Sequence, residues 1–371
     1  MVRTHQSRPS SDPEPTSAGM SLNRTVLDWP RFAEELPPMG RFISVIIPNR
    51  NGAATIETCL EAVFSSRYEP FEVIVVDDAS EDGSVGIVGR FPCRLLRLPT
   101  HAGASHARNI GAANSGGDTL FFTDADCLLQ EDTLAIAGKL LAGEGPGVVL
   151  GGTYTPRPHD RGFFSLFQSV FINYSETRNA ERPDYVATHA MAIDAGTFRR
   201  SGGFAEGFLP ILEDVEFSHR ARQSGCRLVM SPDLQVRHIF NFRFLGSLRN
   251  ALRKSLYWTI YSLARGDLLA DSGTASAGLK IDVAGYALGL LLLLLAGFTG
   301  RPIALAPILG VVALNLFWNR GLIRAFHRTA GPTFALAATL YYVAVYPLAV
   351  GAGALAGALR YLAGSRPSLP A

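Results

Sequence analysis

The chain has 371 residues, of which 47% are hydrophobic and 18% are charged. At about 100–200 residues per domain, this length allows two or three domains that each bury a hydrophobic core. The formal net charge of +2 excludes a globally basic nucleic-acid-binding protein, and we expect no nucleic-acid partner. The apolar excess lies in the C-terminal part, which predicts a membrane protein with a soluble N-terminal part.

The N-terminal residues and the cysteines give no sign of secretion. Residues 1–40 contain a stretch rich in Ser, Pro and Thr without the apolar run of a signal peptide, which predicts a disordered tail. The cysteines are scattered and form no CxxC pair: Cys59, Cys93, Cys127 and Cys226. This spacing argues against a disulfide framework or a structural zinc site and favours isolated apolar side chains in a reducing compartment.

Strand and helix patterns alternate through the next part of the chain. Four short apolar runs predict buried strands, and two segments with helical spacing, Ala53–Ser65 and Ala104–Ala113, lie between them. The predicted strands are Phe42–Pro48, Phe71–Val76, Leu95–Leu98 and Asp118–Thr123. This alternation predicts parallel βαβ units. Beyond Cys127 the pattern is less regular, with further strands predicted at Val148–Gly152 and Arg227–Met230.

Three acidic clusters stand out in this α/β region. Asp77-Asp78 and Asp124-Ala125-Asp126 each follow a predicted strand, and Glu213-Asp214 precedes a predicted helix. The carboxyl ends of parallel strands meet at one edge of a sheet, where clustered carboxylates are costly unless a cation binds. A lone DxD is more often a solvated turn. Three clusters together favour a site for a divalent cation and phosphate oxygens.

The segment before the apolar C-terminal region is basic. Residues 241–280 carry six basic and two acidic side chains, mixed with Leu, Tyr and Trp. This pattern predicts interfacial amphipathic helices in contact with anionic membrane lipids. The alternative is an ordinary solvated helix packed on the preceding domain.

Three uncharged stretches within residues 281–360 predict three transmembrane helices: Val283–Gly300, Pro302–Trp318 and Pro332–Leu359. Three arginines fall between the second and third stretches, in the predicted loop Asn319–Gly331. By the positive-inside rule this loop is cytoplasmic, and so is the soluble domain. We therefore expect an integral protein of the cell (inner) membrane.

The motifs resemble those of glycosyltransferase family 2 in order and spacing. They are SVIIPNRN at 44–51, VVDDAS at 75–80, ARNIG at 107–111, DAD at 124–126, GGF at 202–204 and ED at 213–214. The resemblance covers about residues 42–240. It implies a GT-A fold over 41–240, Rossmann-like with a mostly parallel sheet flanked by helices. The nucleotide-sugar half is 41–127 and the acceptor half is 128–240. The C-terminal α-helical transmembrane region follows this domain.

The resemblance implies roles for the residues near the nucleotide. Asp78 matches the carboxylate that accepts the ring N–H of the nucleobase. Pro48 and Arg50 match residues beside the nucleobase and the ribose. Arg108 is expected near the pyrophosphate, where a fixed cation suits the charge.

The resemblance also implies a metal site and a catalytic base. Asp124 and Asp126 match the DxD motif; Asp126 is the expected ligand of Mn²⁺ or Mg²⁺, and Asp124 contacts the ribose or the metal. His238 falls where many GT-A enzymes have a further metal ligand, although it could equally be a partly exposed histidine near a strand end. Asp214 matches the catalytic base. Glu213, its neighbour, is a substrate-binding candidate that could serve as base instead.

These features together predict an inverting, metal-dependent hexosyltransferase that makes a cell-envelope glycan. It would move one sugar from a nucleotide-diphosphate sugar to a lipid or polyprenyl-linked acceptor at the cytoplasmic membrane face. The QxxRW motif of processive synthases does not follow Asp214, which favours single transfer. The alternatives are a nucleotidyltransferase, disfavoured because no Gly-rich phosphate loop follows the first strand, and a silent membrane scaffold, disfavoured because all three acidic clusters are present.

Overall fold

A computed structural model of the chain describes residues 40–300 and 306–364. The N-terminal tail predicted over residues 1–40 lies outside the described residues, apart from Gly40. Residues 301–305, which include the start of the second predicted transmembrane stretch, also lie outside them.

The first half of the domain is a parallel sheet with helical connections. Its strands are β1 (Ile43–Asn49), β2 (Phe71–Asp77), β3 (Arg94–Arg97) and β4 (Thr119–Phe122). The helices between them are α1 (Ile56–Phe64), α2 (Ser84–Val88) and α3 (Ala104–Ala113). β1 pairs in parallel with β2 on one side and with β4 on the other, and β2 pairs in parallel with β3. The predicted βαβ arrangement is therefore confirmed here.

The second half adds four strands that make the sheet mixed. The elements are β5 (Cys127–Leu129), α4 (Thr133–Glu144), β6 (Val148–Tyr154), α5 (Phe163–Thr177), β7 (Met191–Asp194), α6 (Ala195–Arg200), α7 (Glu213–Gln223) and β8 (Arg227–His238). Over the described residues the strand order is β3-β2-β1-β4-β7-β6-β8-β5. β7 runs antiparallel to both β4 and β6, and β5 runs antiparallel to β8. β8 continues well past the predicted end at Met230, and its last residue, His238, pairs with Cys127.

Alternating side chains of the central strands bury both faces of the sheet. In β4, Phe121 belongs to the same buried cluster as the apolar face of α1, whereas Phe122 packs with Phe198 and Phe204 on the other side. Both β4 phenylalanines are fully buried, and each such side chain contributes about 1.5–3 kcal/mol relative to exposure. This two-sided core holds the carboxyl ends of β1, β2 and β4 at one fixed edge.

The C-terminal part is helical. Its elements are α8 (Phe244–Arg265), α9 (Ala277–Thr299), α10 (Ala306–Trp318), α11 (Arg320–Leu340), a π-helical turn (Tyr341–Val345) and α12 (Tyr346–Leu362). The prediction that Asn319–Gly331 is a loop is wrong, because this segment is helical from Arg320 and breaks only at Gly331. Phe326 packs on Phe167 of α5 with ring centroids 5.5 Å apart. Burial of this ring against the sheet domain explains why the segment is ordered as a helix.

Within the described residues, two helical stretches are long and apolar enough to cross a membrane, Ala277–Thr299 and Arg320–Leu362. The described helix α10 has 13 residues and spans about 20 Å, short of the roughly 30 Å of a hydrocarbon core. α12 packs along α8 through Gly353 and Gly357, where a Cβ atom would meet the backbone oxygens of Leu252 and Leu256. The missing side chains of these two glycines thus allow the two helices to pack closely.

Candidate functional site

The first acidic cluster organises the turns at the ends of β1 and β2. Asp77 accepts hydrogen bonds from the side chain of Asn49 at 3.0 Å and from the backbone N–H of Ser80 at 3.2 Å. Asp78 accepts from the backbone N–H groups of Ala102 and Gly103, at 2.7 and 2.9 Å. The Asp78 carboxylate therefore already holds the turn that precedes α3, and its contact with a nucleobase stays a prediction.

Two more of the predicted nucleotide-site residues lie at this edge. Pro48 is half-buried near the end of β1, and Arg50 is exposed on the turn that follows. Asp78 also lies 2.7 Å from Nδ1 of His101, a residue that sequence reasoning did not single out. The ring is about half exposed, so it lines the rim next to the carboxylate. Roles of Pro48 and Arg50 beside a nucleoside remain predictions.

Arg108 joins the second acidic cluster to the third. This side chain is only 4% exposed, and it donates to Asp124 Oδ1 and to Glu213 Oε1, both at 2.6 Å. Burial opposes ionisation of Asp124, but the Arg108 guanidinium outweighs it and holds the pKa of that carboxyl below its usual range. The guanidinium thus connects α3, the DxD turn and the start of α7. The sequence predicted a cation near the pyrophosphate but not this pair of carboxylate partners.

Asp126 and His238, two of the residues predicted to bind a metal, lie side by side. His238 Nε2 lies 3.3 Å from Asp126 Oδ1, because the antiparallel pairing of β5 with β8 brings the end of β8 beside the DxD turn. Burial, followed by the charge of Asp124, raises the pKa of Asp126 to about 7. Burial lowers the pKa of His238 to about 3, so the ring is neutral near pH 7 and keeps a lone pair for a metal.

The donor set fits a hard divalent cation. Adjacent ligands of an octahedral ion with bonds of about 2.1 Å are separated by about 3 Å, close to the separation of Asp126 Oδ1 and His238 Nε2. Cys127 Sγ belongs to the same cluster, within 4.8 Å of both. Burial and the charges of Asp126 and Asp124 raise the pKa of the Cys127 thiol well above its usual range. Sulfur is a soft ligand that suits Mn²⁺ and Mg²⁺ poorly, which leaves one carboxylate and one imidazole.

The third cluster has two carboxylates, and Asp214 is the one that forms no ion pair with Arg108. It accepts a hydrogen bond from the backbone N–H of Val215 at 2.8 Å, and among the described residues no ion pair is formed with it. Burial, followed by the charge of Glu213, raises the pKa of Asp214 to about 6, against the opposing charge of Arg108. Such a carboxylate is ionised near neutral pH and still basic enough to accept a proton.

Sequence reasoning did not anticipate a buried polar layer next to the predicted metal site. His189 lies just before β7, with Nε2 3.4 Å from Glu176 Oε2, and Thr153 donates to the same carboxylate oxygen at 2.7 Å. The His189 ring stacks on Tyr154 at 4.0 Å, and Tyr154 makes an edge contact with His238 at 4.9 Å. His189 and Glu176 are separate in the sequence and stand in no spacing pattern, so only the fold brings them together.

Two of the glycine-containing motifs have a packing function. Asn109 of α3 exchanges hydrogen bonds with the backbone N–H and carbonyl of Phe204, at 2.9 and 2.8 Å. Gly203, which has a φ of +66°, would bring a Cβ to 2.7 Å from Asn109 Oδ1. A Cβ on Gly111 would lie 2.5 Å from Ile46 of β1. These contacts fix α3, and with it Arg108, against the sheet.

The sheet order and the carboxylate edge define a Rossmann-like GT-A domain. Residues 44–201 match the sequence model of glycosyl transferase family 2. The family resemblance of the motifs is therefore confirmed.

Individual relatives agree with this assignment. The chain is 28% identical over 200 residues to glycosyltransferase AglE of Haloferax volcanii, a match that covers 52% of this chain and 65% of the relative. It is also 28% identical over 131 residues to glycosyltransferase GlyG of Streptococcus pneumoniae, covering 34% of this chain and 44% of the relative. The chain thus spans less than two thirds of the length of these relatives.

A solved structure has the same fold. It is the mannosyltransferase PcManGT from Pyrobaculum calidifontis in complex with GDP-Man and Mn²⁺, with a TM-score of 0.53 and 20% identity. The match covers 91% of this chain and 93% of that one. At this identity the likeness concerns the fold alone.

Proposed function

We propose that the chain is an inverting, metal-dependent hexosyltransferase that acts once per acceptor. It takes one sugar from a nucleotide-diphosphate sugar and attaches it to a lipid or polyprenyl-linked acceptor, in the synthesis of a cell-envelope glycan. The observation that carries this proposal is the Arg108 bridge. It brings the DxD turn and the Glu213-Asp214 pair to one cleft and leaves Asp214 without an ion-pair partner among the described residues.

The donor end of this cleft suits a nucleoside diphosphate and a divalent ion. Asp126 and His238 would hold Mn²⁺ or Mg²⁺, which would neutralise charge on the diphosphate when bound. The structural relative was solved with GDP-Man and Mn²⁺, which supports the same class of donor here. Asp78, Pro48 and Arg50 would contact the nucleoside at the neighbouring rim.

Asp214 would act on the acceptor. The acceptor oxygen forms a bond with the anomeric carbon of the sugar, on the face opposite the diphosphate. The bond from that carbon to the diphosphate breaks, and its electron pair leaves with the nucleotide. Asp214 takes the proton of a hydroxyl acceptor, whereas for an acceptor phosphate that is already ionised it orients the attacking oxygen. Glu213 is paired with Arg108, so it is less available than Asp214 to accept a proton.

The membrane part of the proposal rests on the C-terminal helices. We infer that α9 and the α11–α12 stretch anchor the chain in the cell (inner) membrane, with α8 at its surface and the domain in the cytoplasm. The arginines of α11 are Arg320, Arg324 and Arg328, and this helix packs on α5 of the domain. A basic helix in contact with the domain supports a common, cytoplasmic side.

The test is an assay of the full chain in detergent with a panel of nucleotide sugars and Mn²⁺ or Mg²⁺. Release of a nucleoside diphosphate from one donor is expected, and Asp126→Ala should lose metal-dependent affinity for that diphosphate in calorimetry. Unchanged metal-dependent affinity in this variant would refute the metal site. Transfer of a nucleotidyl group, with release of pyrophosphate, would refute the class of reaction.

A further inference from the structure

The segment that precedes the Glu213-Asp214 pair, residues 205–212, lines the candidate site. Its middle part, Glu213 and residues 102–105 at the start of α3 surround a cavity of about 280 Å³. The first part of the segment is fixed to α3, because Glu206 accepts a hydrogen bond from the side chain of Asn109 at 2.7 Å. Its last residue leads directly into α7, so the segment connects the wall of the cavity to the two carboxylates.

That last residue, Leu212, has a backbone conformation that leucine rarely adopts. Its φ is +78° and its ψ is 18°, in the left-handed region, which is unfavourable for any residue with a Cβ atom. Such a conformation persists only where the surrounding structure holds it. Leu212 is only 7% exposed, and its side chain belongs to a buried cluster with Phe208, Val215 and Tyr261. The packing of this side chain therefore holds the turn from which α7 begins.

Tyr261 of α8 contacts both the segment and α7 itself. Its ring makes an edge contact with Phe208, with centroids 5.6 Å apart, and its Oη lies 2.7 Å from Nδ1 of His219 on α7. Nε2 of His219 lies 3.1 Å from the carboxylate of Asp184. Because a carboxylate only accepts, Nε2 carries the proton, and Nδ1 accepts from the Tyr261 hydroxyl. One buried side chain of α8 thus fixes both the turn before α7 and the helix.

The turn and the helix together decide where Asp214 lies. Glu213 and Asp214 are the first two residues of α7, so the directions of their side chains follow from the backbone at Leu212. Glu213 is directed at Arg108, with 2.6 Å between Oε1 and the guanidinium, whereas Asp214 has no ion-pair partner among the described residues. A displacement of about 1 Å at a reacting group can cost about 10²-fold in rate. The position of this turn is therefore important for any proton transfer to Asp214.

We propose that Leu212 and Tyr261 are positioning residues for Asp214. The buried leucine side chain holds the left-handed turn, and the tyrosine holds the cluster and α7 in one arrangement. The inference rests on the proposed function, since Asp214 is the base only in that function. It gives a role to two residues that lie outside the motifs and outside the ion pairs of the site.

The first test replaces the side chain that holds the turn. Glycine adopts the left-handed conformation without cost, so Leu212→Gly removes the anchor and leaves the turn accessible. Measured on the full chain in detergent, kcat should fall about tenfold, and the affinity for a nucleoside diphosphate with Mn²⁺ should be unchanged. Leu212→Met conserves the side-chain volume, and as the matched control it should keep kcat near normal. The unchanged nucleotide affinity shows that each variant is folded.

The second test removes one hydroxyl from α8. Tyr261→Phe keeps the ring and loses the hydrogen bond to His219, and kcat should fall by a smaller factor, about threefold. Tyr257→Phe is the matched control on the same helix. Tyr257 is half-buried against the same cluster, and among the described residues its hydroxyl has no hydrogen-bond partner. This control should keep normal kcat.

The pH profile separates positioning from a simple loss of folded protein. Burial raises the pKa of Asp214 to about 6, and a released turn would expose the carboxyl to water and reduce that effect. The acid limb of kcat/KM should therefore move below pH 6 in Leu212→Gly. The charges that act on Asp214 are Glu213, Arg108 and His189, and the variants change none of them. A variant that is only less stable would keep the limb and lose amplitude.

Amide hydrogen exchange gives a measurement that needs no turnover. Exchange at residues 213–217 should be faster in Leu212→Gly than in the unmodified chain, with residues 107–111 of α3 as the reference. Equal exchange, or equal kcat in Leu212→Gly and Leu212→Met, would overturn the positioning role and leave the transferase intact. If the unmodified chain releases no nucleoside diphosphate from any donor, the proposed function fails. Faster exchange would in that case support the anchor and overturn its role in the reaction.

Discussion

Replacement of Asp214 by Asn separates catalysis from donor binding. The amide keeps the shape of the side chain and cannot take a proton. General-base catalysis typically contributes about 10²–10⁴-fold, so kcat should fall by that factor. Nucleoside diphosphate affinity should be unchanged, because Asp126 and His238 remain in place.

The pH dependence follows from the pKa of Asp214, which is about 6. With this value about nine tenths of the carboxylate is ionised at pH 7 and about one tenth at pH 5. The ionised form is the active one, so kcat/KM for a hydroxyl acceptor should fall about tenfold as the pH drops from 7 to 5. The Asp214→Asn variant should lose this limb of the pH profile.

The assay is nucleoside diphosphate release across this pH range, with Glu213→Gln measured in parallel. Near-normal turnover in Asp214→Asn, together with a steep loss in Glu213→Gln, would show that the base is Glu213 and that its assignment to Asp214 is wrong. If neither change affects turnover, the two carboxylates serve only the N-terminus of α7, where negative charge is favourable, and the catalytic interpretation of Asp214 is refuted.

Three further predictions concern stability and orientation. Arg108→Met leaves Asp124 and Glu213 without their shared cation and should lower the free energy of unfolding by about 3–5 kcal/mol; a loss below about 1 kcal/mol in chemical denaturation would contradict a buried bridge. Ala79 has a φ of +55°, so Ala79→Gly should raise the free energy of unfolding by about 1 kcal/mol, and a decrease would contradict the strain. A cysteine at the exposed Arg324 position should react with an impermeant maleimide only after cells are opened, and labelling of intact cells would reverse the proposed orientation.

The sequence predicted the donor half well because its signals are local. A short apolar run that ends at turn residues or at a carboxylate cluster specifies a buried strand and the edge at which it stops, and β1, β2 and β4 lie where those runs predicted. The ARNIG motif marked α3 correctly, since helical spacing and close packing of Gly111 on β1 act within short distances.

The contacts that complete the site depend on residues far apart in the chain. Arg108 and Glu213 meet across the fold, and no spacing pattern links them. No spacing pattern links His189 with Glu176 either. Cys127 lies beside His238 only because β5 pairs antiparallel with β8. The helix at 320–330 was missed because arginines and the Gly331-Pro332 pair indicate a loop, whereas burial of Phe326 against α5 stabilises a helix.

The short passage from β8 into α8 has a mechanical consequence. His238 is the last residue of β8, α8 starts at Phe244, and α12 clamps α8 through Gly353 and Gly357. Only residues 239–243 separate the proposed metal ligand His238 from the helices that would meet the bilayer. If these helices lie in a bilayer as proposed, the site would stand at a fixed height above the lipid surface, and acceptors would be selected by the depth at which their reactive oxygen lies. Inserting residues between His238 and Phe244 would change that height while leaving the residues of the site unchanged.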